Sequence, residues 1–260
     1  MAEKVFLKAL KSKGVTMKRK RVLIFTAAAV ISIGLLFCIL IYNGVIILNG
    51  ATAQKYSVRG VDVSSYQGEI DWETLAGQDI QFAFIKATEG SSYADAYFAD
   101  NYKQAAAYGL RVGAYHFFSY DSSGGTQADN FIKTVPIIEN MLPPVVDVEF
   151  YGDKEKNPPD AETVETELTA LLQKLEAYYG LKPILYATEK SYQLYIADRF
   201  DGYDIWIRNV ITTPTLSDNR DWTFWQYTNR ERLDGYRGDE KYIDMNVFYG
   251  SAEEFESYTR

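Results

Sequence analysis

The feature that most constrains this chain is a short apolar run broken by acids, Pro143 to Phe150 (PPVVDVEF). Val145, Val146 and Val148 have the pattern of a strand buried on both faces, the kind found in a parallel sheet covered by helices. Asp147 and Glu149 interrupt it. A buried, unpaired carboxylate is costly, so two in one apolar strand need a reason. They stand two positions apart, and strand side chains alternate faces, so both point the same way. Two carboxyls on one face at a strand end suit acid/base work on a glycosidic bond. The alternative is a strand running out into solvent with both acids hydrated.

Other strands end in a similar way. Val58 to Ser64 alternates and closes on small polar residues, with Asp62 near its end. Further strands are predicted at Ile80 to Ala87, Leu110 to Phe118, Pro183 to Ala187, Asp204 to Arg208, Thr223 to Tyr227 and Tyr242 to Phe248. Helices are predicted at Phe98 to Tyr108, at Gly125 to Val135 and at Lys190 to Ala197. Another follows Asp160, where Val164, Leu168, Leu171, Leu172, Leu175 and Tyr179 make one stripe and Gly180 closes it. Alternation of strands and helices predicts a parallel sheet with right-handed crossovers. Eight strands with polar C-terminal ends predict an α/β fold, a TIM-like closed barrel with its active face at those ends. About 190 residues is short for eight full units, so helices should be lacking around the last strands.

The N-terminus is of a different kind. From Val22 to Leu48 there is no charged residue, and Val22 to Tyr42 alone would span about 30 Å as a helix, the thickness of a bilayer core. Lys4, Lys8, Lys11, Lys13, Lys18, Arg19, Lys20 and Arg21 precede it, against Glu3 alone. The positive-inside rule places residues 1–21 in the cytoplasm as a basic tail, residues 22–48 in the membrane and the rest outside. The alternative is secretion after cleavage near Ala53, because Ala51-Thr52-Ala53 resembles a signal cleavage site. The apolar run is longer than a usual signal core, which favours a retained anchor. Residues 49–57 read as a polar linker, and 58–260 as one barrel domain.

Of 27 basic and 35 acidic side chains, the first 21 residues hold 8 and 1; this leaves 19 and 34 for the remainder, a formal −15. So acidic a domain is a poor match for nucleic acid. It suits a neutral or weakly charged partner read by hydrogen bonds and ring stacking. A single His and a single Cys make a zinc site hard to build, and no metal or organic cofactor is implied.

The segments GVDVSSYQGEIDW, FAFIKATEG, GLRVGAYHFF, VVDVEF, WQY and IDMN, in order between about Val58 and Gly250, resemble the glycoside hydrolase family 25 muramidases (lysozymes). The resemblance implies an eight-stranded barrel whose later strands lack full helices. It implies hydrolysis of the β-1,4 bond after N-acetylmuramic acid in peptidoglycan glycan strands. By position, Glu149 matches the general acid and Asp147 its partner in D-x-E. Asp62 and Asp244 match acids ending the first and last strands, and Tyr115, Tyr186, Trp206 and Gln226 match positions that contact sugar. A raised pKa would keep Glu149 protonated, with Asp147 disfavouring its ionisation. A substrate-assisted route through the 2-acetamido group, oriented by Asp147, is preferred over inversion with Asp62 or Asp244 activating water. Glu89 either pairs with Lys86 or reaches the pocket as a substrate contact. His116, alone in an apolar strand, reads as structural. One departure stands out: Arg208, Asn209 and Val210 follow Trp206-Ile207, where the family often has a small residue and then an aromatic. The competing function is a catalytically silent glycan-binding surface protein on the same barrel.

Overall fold

The computed structural model describes residues 2–258, with residues 2–15, 17 and 18 described as backbone alone. The side chains of Lys4, Lys8, Lys11, Lys13 and Lys18 therefore lie outside the described ones. The chain divides into two units between Ile46 and Ile47.

The first unit is helix α1 (Ala2–Tyr42). Its segment Arg19–Tyr42 has a mean hydropathy of 2.8 over an 18-residue window and none of that window is buried, so it is long and apolar enough to cross a membrane. The sequence predicted an apolar span to Leu48, but the helix stops at Tyr42. Gly44 adopts φ +66°. The Val45 amide donates to Leu40 O at 2.9 Å and the Gly44 amide to Ile41 O at 2.9 Å, which is a Schellman cap.

The second unit opens with α2 (Gly50–Ala53). It then runs β1 (Arg59–Val63), α3 (Trp72–Ala76), β2 (Phe82–Glu89), a two-residue hairpin strand β3 (Tyr93–Ala94), α4 (Phe98–Ala107) and β4 (Arg111–Phe117). There follow α5 (Gly124–Thr134), β5 (Val145–Val148), α6 (Ala161–Tyr179) and β6 (Ile184–Thr188). The chain ends through α7 (Glu189–Ser191) with a π-type turn at Tyr192–Ile196, then β7 (Ile205–Arg208), β8 (Phe224–Glu231), β9 (Ile243–Phe248) and α8 (Ala252–Ser257). Strand order is β1-β9-β8-β7-β6-β5-β4-β2, closed by pairing of β1 with β2. This is the predicted eight-stranded barrel, and β7, β8 and β9 follow one another without intervening helices. Capping explains the longest barrel helix: Asp160 accepts from the Thr163 amide at 2.9 Å, and Gly180 ends α6 in the left-handed conformation.

Two expectations need correction. The sheet is not wholly parallel, because β9 runs antiparallel to both β1 and β8. A parallel return needs a crossover of a dozen or more residues, usually helical, and the connection from Glu231 to Ile243 holds no helix. Nor are residues 49–57 a free linker. The Asn49 side-chain amide donates to Asn209 O at 3.0 Å and Tyr227 O at 3.2 Å. The Tyr56 ring meets Trp222 at 5.3 Å, and Ala53 is buried. The polar composition hid this, since one amide and one aromatic ring are enough to dock a short segment.

Two apolar layers hold the barrel. The outer one packs helices on strands, with Leu168, Leu171, Leu172 and Leu175 of α6 fully buried. The inner one fills the barrel with Phe82, Phe84, Val145, Ile184, Trp206, Phe224 and Phe248. Gly60 and Gly113 make room for two of these rings. A Cβ at Gly60 would lie 2.4 Å from the Phe82 ring, and one at Gly113 would lie 2.6 Å from Phe84.

Candidate active site

Period-two alternation carries the inner face of each strand from this apolar floor to a polar rim. On β5 and just past it, Val145 is followed by Asp147 and Glu149; on β6, Ile184 by Tyr186; on β7, Trp206 by Arg208; on β8, Phe224 by Gln226. Asp62 ends the same progression on β1. Asp244 reaches the same rim from the start of β9, because that strand is reversed. The two are direct cross-strand partners. The resemblance implied an acid ending the last strand; Asp244 instead lies at the start of β9, because that strand runs antiparallel to β1.

These side chains line one cleft of about 360 Å³ at the C-terminal end of the parallel strands. Asp62, Asp147, Glu149 and Asp244 all face it, with Tyr115, Tyr186, Trp206 and Gln226. Gln226 ties the site together. Its Nε2 donates to Asp62 Oδ2 at 2.9 Å and to Asp244 Oδ2 at 3.0 Å. Its Oε1 accepts from the Tyr186 hydroxyl at 2.9 Å. Asn246 Nδ2 adds a second donor to Asp62 Oδ2 at 2.8 Å, and Trp206 Nε1 orients that amide through Asn246 Oδ1 at 2.8 Å. Trp206 is thus less a sugar platform than a floor: it is 2% exposed, its N–H is spent on Asn246, and its ring stacks on Phe84 at 4.5 Å.

Glu89, predicted as a substrate contact, stands outside this lining. It pairs with Lys86 Nζ at 2.8 Å, and Lys86 is the member of that pair that lines the cleft. His116 turns away from the barrel interior. It lies between Thr88 Oγ1 at 2.7 Å and Gln127 Oε1 at 2.9 Å, and burial depresses its pKa to about 4, so it is a neutral structural group. Sequence reading missed Tyr66, Gln67 and Asn246 at or beneath the rim. The run IDMN carried the last of these, but only the Asp was singled out.

Burial raises the pKa of all four acids. Asp62 rises to about 6, held from going further by the amides of Asn246 and Gln226 and by the Arg208 charge. Asp244 is pushed well above the carboxylate range by burial and then by Asp62. Asp147 is also pushed above that range, by burial and then by Glu149. Glu149 is raised by burial, opposed by Arg208 and raised again by Asp62. Burial is the first cause for Glu149, and the repulsion seen within the D-x-E pair is that of Glu149 on Asp147. Each acid of the pair is held towards its protonated form, chiefly by burial. Asp147 is 6% exposed with Oδ1 unpartnered among the described residues, while Glu149 lies just past the strand end and is half-buried.

The Asp62 network yields a direct test. Removing the Gln226 donors in Gln226→Leu takes one hydrogen bond from the Asp62 carboxylate, typically worth about 1.5–3 kcal/mol when the acceptor is charged. The ionised form loses stabilisation, so the Asp62 pKa should move up from about 6 by roughly one unit or more. Carboxyl carbon NMR titration measures it; an unchanged or lower value would show that Gln226 does not hold Asp62 ionised.

Comparison with known proteins follows from this geometry. The family model described as glycosyl hydrolases family 25 matches residues 61–236, a span that takes in Asp62, Asp147 and Glu149 and stops short of Asp244. A solved structure of a family 25 glycosyl hydrolase from Bacillus anthracis is 58% identical with a TM-score of 0.76, covering 79% of this chain and 95% of that one. The bacterial lysozyme from Streptomyces coelicolor is 30% identical with a TM-score of 0.69, covering 78% and 97%. Lysozyme M1 of Streptomyces globisporus is 33% identical over 216 residues, 77% of this chain and 70% of that one. A barrel with acids gathered at its C-terminal rim and a family match over most of its strands lead to one conclusion: this chain belongs to glycosyl hydrolases family 25.

Proposed function

We propose that this glycoside hydrolase is a muramidase acting on peptidoglycan glycan strands, and that it cuts the β-1,4 bond between N-acetylmuramic acid and N-acetylglucosamine. Glu149 is the general acid and Asp147 assists. The observation that carries this reading is the meeting of four buried carboxyls in one cleft. A silent glycan-binding module has no use for such a cluster, because each desolvated acid lowers stability as pH rises from the ordinary carboxylate pKa to its raised one and leaves it reduced above that.

The chemistry follows from the two acids of D-x-E. A 2-acetamido N–H donated to Asp147 would satisfy its unpartnered Oδ1 and favour its ionised form. Glu149, held protonated by burial just past the strand end, then hands its proton to the leaving glycosidic oxygen. The acetamido oxygen attacks the anomeric carbon as the C–O bond breaks, and water opens the resulting ring with Glu149 as base. Asp62, held by two amide donors, stays poised to balance positive charge developing at the sugar ring.

The α1 segment is the proposed membrane anchor, with the basic tail cytoplasmic and the barrel outside. Cleavage after Ala53 would remove Asn49, whose two hydrogen bonds fasten the segment to the barrel, which favours retention. One preparation tests the whole reading. The chain from membranes should have an intact mass that includes residues 1–53. With purified peptidoglycan it should release new reducing ends whose first-formed anomer, by proton NMR, retains configuration. An inverted anomer would end the substrate-assisted route, and a mature N-terminus at Gln54 would end the anchor.

A further inference from the structure

Arg208 is the feature of the cleft that this mechanism leaves unused. It ends β7 on the inner face, in register with Gln226 of β8, and lines the cleft. Its charge opposes the ionisation penalties of Asp62, Glu149 and Asp244, yet it forms no ion pair or hydrogen bond among the described residues. The other cleft cation, Lys86, is committed. It pairs with Glu89 at 2.8 Å and sits over the rings of Phe117 at 5.0 Å and Tyr93 at 5.5 Å. The cleft therefore presents one planar fork of five N–H donors with nothing bonded to it, amid several acids. That fork matches a carboxylate bidentately, which an ammonium does not.

Building on the muramidase reading, we propose that Arg208 selects substrate by binding a carboxylate carried on the lactyl arm of the muramyl residue. A glycan of N-acetylated sugars is neutral except on that arm, where the charge is either the free lactyl carboxylate or a carboxylate of an attached stem peptide. Without a counter-cation, the acids of the cleft would repel it. The arm leaves the carbon next to the one bearing the acetamido group. Arg208 stands two strands from Asp147, about 10 Å across the mouth, a span that one sugar ring and its substituent bridge.

The test is equilibrium binding by calorimetry, using the full chain in detergent with Glu149→Gln to prevent turnover, with and without Arg208→Gln. Three muramyl tetrasaccharides serve as probes: peptide-free, peptide-free with lactyl carboxylates converted to methyl amides, and peptide-bearing. Arg208→Gln should weaken binding of a carboxylate-bearing probe by about 10- to 100-fold, the scale of a lost charged hydrogen-bond pair. It should leave the amidated probe unchanged. A loss confined to the peptide-free probe assigns the lactyl carboxylate; one confined to the peptide-bearing probe assigns the stem peptide. Arg208→Lys should recover part of the affinity, since it keeps charge without the fork. Equal losses on all three probes, or no loss on any, would overturn the assignment, because Arg208 would then act on the protein's own acids or not at all. If the parent variant binds no probe, the muramidase reading fails with it.

Discussion

Glu149→Gln should lower kcat on peptidoglycan by about 10²–10⁴-fold, the range for removing a general acid, with little change in KM. The substitution keeps the shape of the side chain and removes its proton. It should not destabilise the barrel at neutral pH, because it also removes a carboxylate that raises the pKa of Asp147. Two further signatures separate acid catalysis from a positioning role. The loss in kcat/KM, which reports bond cleavage, should shrink towards nothing on a nitrophenyl muramide, whose phenolate leaves without protonation, while kcat stays reduced because Glu149 also serves as base. The alkaline limb of the kcat profile should also disappear. Glu149 must be protonated to act and its pKa is raised by burial, so activity in the unaltered chain falls as pH rises through that pKa. A variant with undiminished activity, or one whose kcat/KM is equally impaired on both leaving groups, would remove Glu149 from the acid's place.

The second large effect lies beneath the site. Phe84→Ala should cost about 3–5 kcal/mol of barrel stability, as large-to-small changes at fully buried aromatics do. Phe84 has no exposed surface. It stacks on Trp206 at 4.5 Å and meets Phe82 at 5.5 Å and Phe224 at 5.2 Å edge-on. Gly113 is a glycine to admit this ring, so it offers no side chain to fill the void from its side. The cost should also reach the chemistry. Trp206 loses its stacking partner, and its N–H orients Asn246, which donates to Asp62. Urea unfolding followed by tryptophan fluorescence measures the first effect, and the Asp62 carboxyl titration the second. A loss under about 1 kcal/mol would show that the inner layer closes around the gap.

Strand by strand, the barrel was legible because its signals are local. Valine runs, the Asp160 cap, the leucine stripe of α6 and the glycine after it each declare an element within about twenty residues. The two acids of D-x-E were legible as a pair, since period two alone puts them on one face. The docking of residues 49–57 was not, because it depends on Asn49 finding carbonyls more than 150 positions away. Nor was the direction of β9. An isolated strand pattern carries no arrow, and only the helix-free connection decides how it returns.

The sequence by itself determined which residues are acidic, which faces they occupy and that the strands between them are apolar enough to be buried. The tertiary structure alone decided which acid is most desolvated, that Lys86 is spent on Glu89, and that Arg208 stands in the cleft unbonded among the described residues. The physical reason is one of range. Alternation and capping act between near neighbours in the chain, whereas the cost of a buried charge is set by whatever the fold packs around it.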